Sequence, residues 1–99
     1  MIKGQMEPSN VRVHVYVYGR VQGVFFRFFV KEKALQEGIK GWVRNRPDNS
    51  VEALFEGEKN KINKMIEWCK IGPPAASVRE IDIKWEKYEG ELKSFAILD

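Results

Sequence analysis

From Val11 to Tyr18 the chain alternates without a break: Val11, Val13, Val15 and Val17 against Arg12, His14, Tyr16 and Tyr18. Successive strand residues point to opposite faces, so this pattern suits a strand buried on one side and polar on the other. A helix would spread the same valines around its circumference. The segment therefore demands a sheet with one covered face, and something apolar has to cover it. The cover comes next. After Gly19 and a loop from Arg20 to Phe25, the apolar spacing turns helical. Phe26, Phe29, Val30 and Ala34 share one stripe, and Gly38 stops the helix.

The rest of the chain repeats the theme. Gly41 to Asn45 reads as a second strand, Pro47-Asp48-Asn49 as a turn, and Ser50 to Glu56 as a third strand ended by Gly57. Glu58 to Ile71 is a second helix with Ile62, Met65, Ile66 and Cys69 on one face, and Gly72-Pro73-Pro74 terminates it. Ile81, Ile83 and Trp85 alternate with Asp82, Lys84 and Glu86 in a fourth strand. Tyr88 to Lys93 is a polar connection, and Ser94 to Leu98 a short last strand. This order predicts an α+β, ferredoxin-like split βαβ sandwich: β-α-β-β-α-β plus a short C-terminal strand, with two helices on one face of an antiparallel sheet. Residues 1–9 are expected to be a flexible extension and residues 10–99 a single domain. There is no internal repeat, low-complexity segment or linker.

Composition narrows the chemistry. The 99 residues include one histidine, His14, and one cysteine, Cys69. A structural zinc site needs about four Cys or His ligands, so none is expected within the chain, and no internal disulfide can form. A triad with a catalytic base would have to recruit His14, which falls on the polar side of the first strand. Cys69 shares the apolar stripe of the second helix and reads as core. The net charge of +3 is small and mixed with acids, against a dedicated nucleic-acid binder but suited to a small anionic ligand. No apolar run approaches the ~20 residues of a membrane span, and residues 1–9 lack a signal peptide's apolar stretch. A cytoplasmic location is expected.

The stretch Gly19-Arg20-Val21-Gln22-Gly23-Val24-Phe25-Phe26-Arg27 joins a strand to a helix N-terminus. Backbone N–H groups there have no helical partner, and the helix dipole adds partial positive charge. Two glycines let the backbone curl so that several N–H groups face one centre, a geometry that binds phosphate. The spacing is not that of a Walker A loop. On these grounds an anion site and an ordinary connection both stay open. Arg27 favours the first. A cation in the first helical turn opposes the dipole, and a cradled anion would remove the conflict. The bland alternative is a surface arginine paired with a carboxylate.

The run GRVQGVFFR, followed by GWVRN at Gly41 to Asn45, resembles the acylphosphatase family in order and spacing. SVEALFEG at Ser50 to Gly57 and GPPAASV at Gly72 to Val78 resemble it too, so the likeness covers about Val11 to Leu98. The resemblance implies hydrolysis of acyl phosphates to a carboxylate and inorganic phosphate. The family's essential arginine falls on Arg27, which would bind the phosphoryl group. Its essential asparagine falls on Asn45, which would position the attacking water. Gly19, Arg20, Val21, Gln22, Gly23 and Val24 correspond to the phosphate-binding loop. No metal or organic cofactor is implied. The implied partners are a small-molecule acyl phosphate and, as product and competitive ligand, inorganic phosphate, with no nucleic acid and no membrane.

Other residues have plainer readings. Trp42, Trp68 and Trp85 read as core and rim packing rather than a stacking platform. Phe28 and Leu35 project opposite the Phe26/Val30 stripe. They form an exposed patch, a dimer contact or a face covered by the termini; a monomer is expected, with a Phe28/Leu35 dimer as the alternative. Asn49 stands where related sequences often have glycine, and asparagine tolerates the left-handed turn conformation. Arg46 either helps attract substrate or is simply solvated. An RNA-binding module shares the topology, but such modules carry aromatics on the third strand, where this chain has Glu52 and Glu56. A catalytically silent interaction domain is the third reading.

Overall fold

The computed structural model describes residues 9–99. They form β1 (Asn10–Arg20), α1 (Phe26–Glu37), β2 (Lys40–Asn45), β3 (Val51–Glu58), α2 (Lys59–Cys69), β4 (Ser77–Glu86) and β5 (Phe95–Leu98). The order is the expected one. Pairing lengthens three strands: β4 starts at Ser77 because Ser77 and Val78 pair with Arg20 and Gly19, β3 runs past Gly57 because Glu58 pairs with Asn10, and the same pairs carry β1 beyond Val11–Tyr18, so Arg20, expected in the loop, ends the strand. The expected flexible extension, residues 1–9, lies outside the described residues except for Ser9, whose carbonyl accepts a hydrogen bond from Lys59 N at 2.8 Å.

The sheet order is β4-β1-β3-β2-β5. β1 pairs antiparallel with β3 and β4, and β2 antiparallel with β3, but β5 pairs parallel with β2. The sheet is therefore mixed, not wholly antiparallel as expected. The connection after β4 explains this. β4 ends with Glu86 opposite Arg12, at the end of the sheet where β2 begins. Residues 87–94 cross the sheet there, fastened where the Glu89 and Gly90 N–H groups donate to the Glu56 carboxylate at 2.9 and 3.3 Å. A chain that crosses without travelling along the strands enters the far edge running the way β2 runs.

Val13, Val15 and Val17 are buried and lie opposite Phe55, Ala53 and Val51. The helices cover that face with Phe26, Val30 and Ala34 from α1 and Ile62, Met65, Ile66 and Cys69 from α2. Phe29, expected in the buried stripe, is exposed and sits edge-on to Phe28 at 5.3 Å between ring centroids. Three residues beyond Phe26 is the margin of a helical stripe; Val30 and Ala34 hold its centre. Burial pushes the Cys69 thiol up to about 12, so it carries almost no thiolate and stays a core residue. Trp68 packs on Phe26 at 5.5 Å, whereas Trp42 lies on the open face beside His14 and Trp85 is exposed on edge strand β4.

The open face is held by ion pairs. The buried Glu52 takes Arg44 Nε at 2.7 Å and a His14 ring nitrogen, while Arg12 reaches Glu56 and Glu86, each at 3.0 Å. Burial alone would raise the Glu52 carboxyl, but the hydrogen bonds from Arg44 and His14 outweigh it and hold it below the ordinary value of 4.5. Glu56 is likewise lowered: burial is outweighed by the Glu89 N–H, Arg12 and the Gly90 N–H. Glu86 is lowered chiefly by its Arg12 hydrogen bond. Carboxylates whose folded values are depressed stabilise the fold above their unfolded values, and that stability is lost as pH falls through the folded ones. The melting temperature is therefore expected to be level from neutral pH to about pH 5 and to fall steadily toward about pH 3. A melting temperature unchanged down to that pH contradicts the network's role.

Candidate active site

The strand directions bring three chain segments to one end of the sheet. β1 and β2 run the same way, and β5 runs with β2, so Arg20, Asn45 and Leu98 all close strands at that end. Asn45 pairs with Val51, whose other neighbour is Val17, so its side chain falls on the helix-covered face. Ile97 pairs with Val43, two positions before Asn45, and shares that face. Arg46 turns the other way, with its guanidinium over the Tyr16 ring at 5.0 Å from the centroid, so it does not line the site despite adjoining Asn45.

The loop after β1 is built by backbone conformation. The register between β1 and β4 slips at Tyr18/Gly19. Gly19 there has φ +127°, and a Cβ on it would lie 2.3 Å from Ser77 O and 2.7 Å from Arg79 N. Gly23 has φ +74°, and a Cβ on it would meet nothing within 4 Å. The two alanine variants should therefore differ. Gly23→Ala carries only the left-handed backbone cost, about 1 kcal/mol, whereas Gly19→Ala adds a clash with β4 and should cost about 3 kcal/mol. Chemical denaturation of both variants checks the difference; equal losses would contradict the bulge geometry.

Val21 and Val24 are buried and anchor the loop from below. Gln22 ties it sideways: its Nε2 donates to Arg46 O at 2.9 Å and Ser50 O at 2.8 Å. Those carbonyls flank the β2–β3 turn, where Asn49 takes the left-handed conformation at φ 74°, as expected. The loop and the end of β2 are thus one hydrogen-bonded unit. Reading Gln22 only as loop backbone missed this. The signal was a side chain with two donors set between two apolar anchors.

Phe25 is the N-cap of α1, itself left-handed at φ 64°, ψ 22°. It offers no side-chain cap, and the first turn has no acidic residue, so no side chain compensates the positive end of the helix dipole. Arg27 adds a full positive charge in that turn. It is half-buried and has no carboxylate within salt-bridge distance among the described residues, so the paired surface arginine considered from sequence is not what forms.

Val21, Gly23, Phe25, Phe26, Arg27, Phe28, Asn45 and Ile97 line one cleft of about 300 Å³. Arg27 and Asn45, eighteen positions apart in the sequence, thus share a wall-to-wall space. Of the other residues expected in the site, Val21 and Gly23 line it, Val24 lies buried, Gln22 forms the cross-tie, and Gly19 and Arg20 belong to the end of β1. Asn45 Oδ1 is buried and has no hydrogen-bond partner among the described residues. An unsatisfied buried acceptor costs roughly 1–3 kcal/mol. Ile97 was not expected here, because its placement depends on the parallel pairing of β5. A larger cavity of about 510 Å³ lies at the other end of the sheet, where Glu37, Glu58, Lys40 and Lys61 mix both charge signs.

Known proteins share this sequence pattern and this fold. The Acylphosphatase family model matches residues 13–97. An acylphosphatase of Pyrobaculum islandicum is 53% identical over 91 residues, covering 91% of this chain and 96% of that protein. The crystal structure of acylphosphatase from Bacillus subtilis superposes with TM-score 0.86 at 36% identity, covering 90% of this chain and 99% of that one. An acylphosphatase structure from Coxiella burnetii gives TM-score 0.86 at 34% identity, covering 94% and 99%. No helix among the described residues is long and apolar enough to cross a membrane. With its fold and its relatives in agreement, the chain belongs to the acylphosphatase family and is a hydrolase of acyl phosphates.

Proposed function

We propose that the cleft at the end of β1 and β2 is where the acyl phosphate is hydrolysed, with Arg27 and the loop backbone holding the phosphoryl group and Asn45 orienting water. One observation carries this reading: an uncapped helix N-terminus, an arginine without an ion-pair partner and an asparagine whose amide oxygen has no donor, each among the described residues, line one cleft. The first two want an anion, and the third wants a donor.

An acyl phosphate has a carboxylate as its leaving group, so little acid assistance is needed. Charge in a loose transition state spreads over the phosphoryl oxygens, and preorganised donors stabilise it there. Backbone N–H groups from Arg20 to Val24 and the Arg27 fork supply those donors. Asn45 Oδ1 accepts a hydrogen bond from the water, whose oxygen attacks phosphorus as the bond to the acyl oxygen breaks. An amide is no strong base. The water's proton passes to an oxygen of the substrate's own phosphate.

Inorganic phosphate, the product, fits the same cradle and should inhibit competitively. Release of phosphate from benzoyl phosphate, measured at several phosphate concentrations, checks this. A rise in KM with kcat unchanged is expected, and non-competitive inhibition would contradict the shared cradle. The unit that acts is residues 10–99, whose buried apolar side chains form one core. Glu52 and Glu56, buried on the central strand of the open face, support a small anion rather than nucleic acid as ligand. A buried, unreactive Cys69 accords with a cytoplasmic setting. A monomer is the proposed state, with dimerisation through Phe28 and Leu35 as the alternative.

A further inference from the structure

The two halves of the site stand on separate segments. The loop after β1 carries the phosphate end, and Asn45 closes β2. Among the described residues, no backbone–backbone hydrogen bond joins residues 21–24 to another segment. One side chain makes the connection instead. Gln22 Nε2 donates to Arg46 O at 2.9 Å and to Ser50 O at 2.8 Å, so both of its amide hydrogens are used. Both acceptors are carbonyl oxygens, so only the nitrogen end of the amide fits against them. Gln22 itself does not line the cleft, whereas Val21 and Gly23 on either side of it do. At the other end of the tie, Arg46 directly follows Asn45.

Neither segment needs this tie for its own structure. In the β2–β3 turn, Arg46 N donates to Ser50 O at 2.9 Å, Asn49 N to Arg46 O at 3.1 Å, and Ser50 N to Asp48 Oδ1 at 3.0 Å. Each carbonyl that Gln22 reaches therefore has a backbone donor already, and Gln22 takes its second lone pair. The loop is anchored from below by the buried Val21 and Val24. What Gln22 adds is the link between the two. We propose that Gln22 is a positioning residue for the hydrolysis: its amide fixes the phosphate cradle against the end of β2, and so sets where water on Asn45 stands relative to phosphorus. The inference rests on the roles given above to Arg27, the loop and Asn45. Attack in line with the breaking bond tolerates little error, and a misplacement of about 1 Å can cost on the order of 10²-fold in rate. Gln22 acts through Asn45 and touches no substrate.

The test replaces Gln22 with methionine, which keeps the length and bulk of the side chain and removes both donors. Gln22→Met should lower kcat for benzoyl phosphate about tenfold. KM and the inhibition constant of inorganic phosphate should stay within about twofold, because the cradle itself is intact. The melting temperature should fall by a few degrees at most, and the assay runs well below it. Loss of folded enzyme would lower kcat in the same way, so the deciding measurement is a double-mutant cycle with Asn45→Ala. A residue that acts through Asn45 has nothing left to position once that amide is gone. In the Asn45→Ala background, Gln22→Met should therefore change kcat by less than about twofold. The same tenfold loss in both backgrounds overturns the proposal and leaves Gln22 a structural tie. So does an unchanged kcat in Gln22→Met, or phosphate inhibition that weakens as much as kcat falls. In each of these cases the loss in Asn45→Ala persists, and the reading of the site stands. Near-normal hydrolysis by Asn45→Ala overturns both readings together.

Discussion

Arg27→Gln is expected to lower kcat/KM for an acyl phosphate by ~10³-fold or more, as loss of other phosphate-clamping arginines does. Phosphate inhibition should weaken with it. The fold should not suffer. Arg27 has no ion pair among the described residues to lose, and it stands at the positive end of α1, where a cation is unfavourable by about 0.3–1 kcal/mol. Its replacement should therefore leave the melting temperature level or slightly raised. Stability and activity moving in opposite directions is what separates a ligand-binding arginine from a structural one. Near-normal hydrolysis, or a collapse of the fold, would sink the assignment.

Asn45→Ala should lower kcat by roughly 10²–10³-fold, the scale of removing one aimed polar group, while KM stays close to its original value. The split follows from the proposed role, since a group that acts on the water contributes in the transition state and little to holding substrate. The melting temperature should change little. Alanine removes no hydrogen bond between Oδ1 and a described residue. A variant that loses KM instead of kcat would assign Asn45 to the phosphate cradle. The two residues then differ in a measurable way: Arg27 moves phosphate inhibition, and Asn45 does not.

Much of this was legible in the residues. The Val11–Val17 alternation is the buried face of β1, Gly38 caps α1 in the left-handed conformation, and Phe26, Val30 and Ala34 are its buried stripe. Local rules wrote these, because strand and helix periods differ and glycine alone enters that conformation cheaply. Arg27 and Asn45 were legible through motif resemblance. That they share a cleft follows from both strands ending at one end of the sheet. What stayed hidden depends on partners far apart in sequence. The parallel pairing of β5, and with it Ile97 in the cleft, is decided by where residues 87–94 cross the sheet. Gln22 shows its purpose only beside the carbonyls of Arg46 and Ser50. Phe29 sat on the margin of its stripe, where periodicity does not decide burial.

The central claim is that the phosphoryl group, not the acyl carbon, meets the water held by Asn45. Hydrolysis in heavy-oxygen water reads this directly, by mass spectrometry of both products after a single turnover. Label in the inorganic phosphate and none in the carboxylate is the predicted result. Label in the carboxylate would mean that water attacks the carbonyl, and the roles given to Arg27 and Asn45 would fall together.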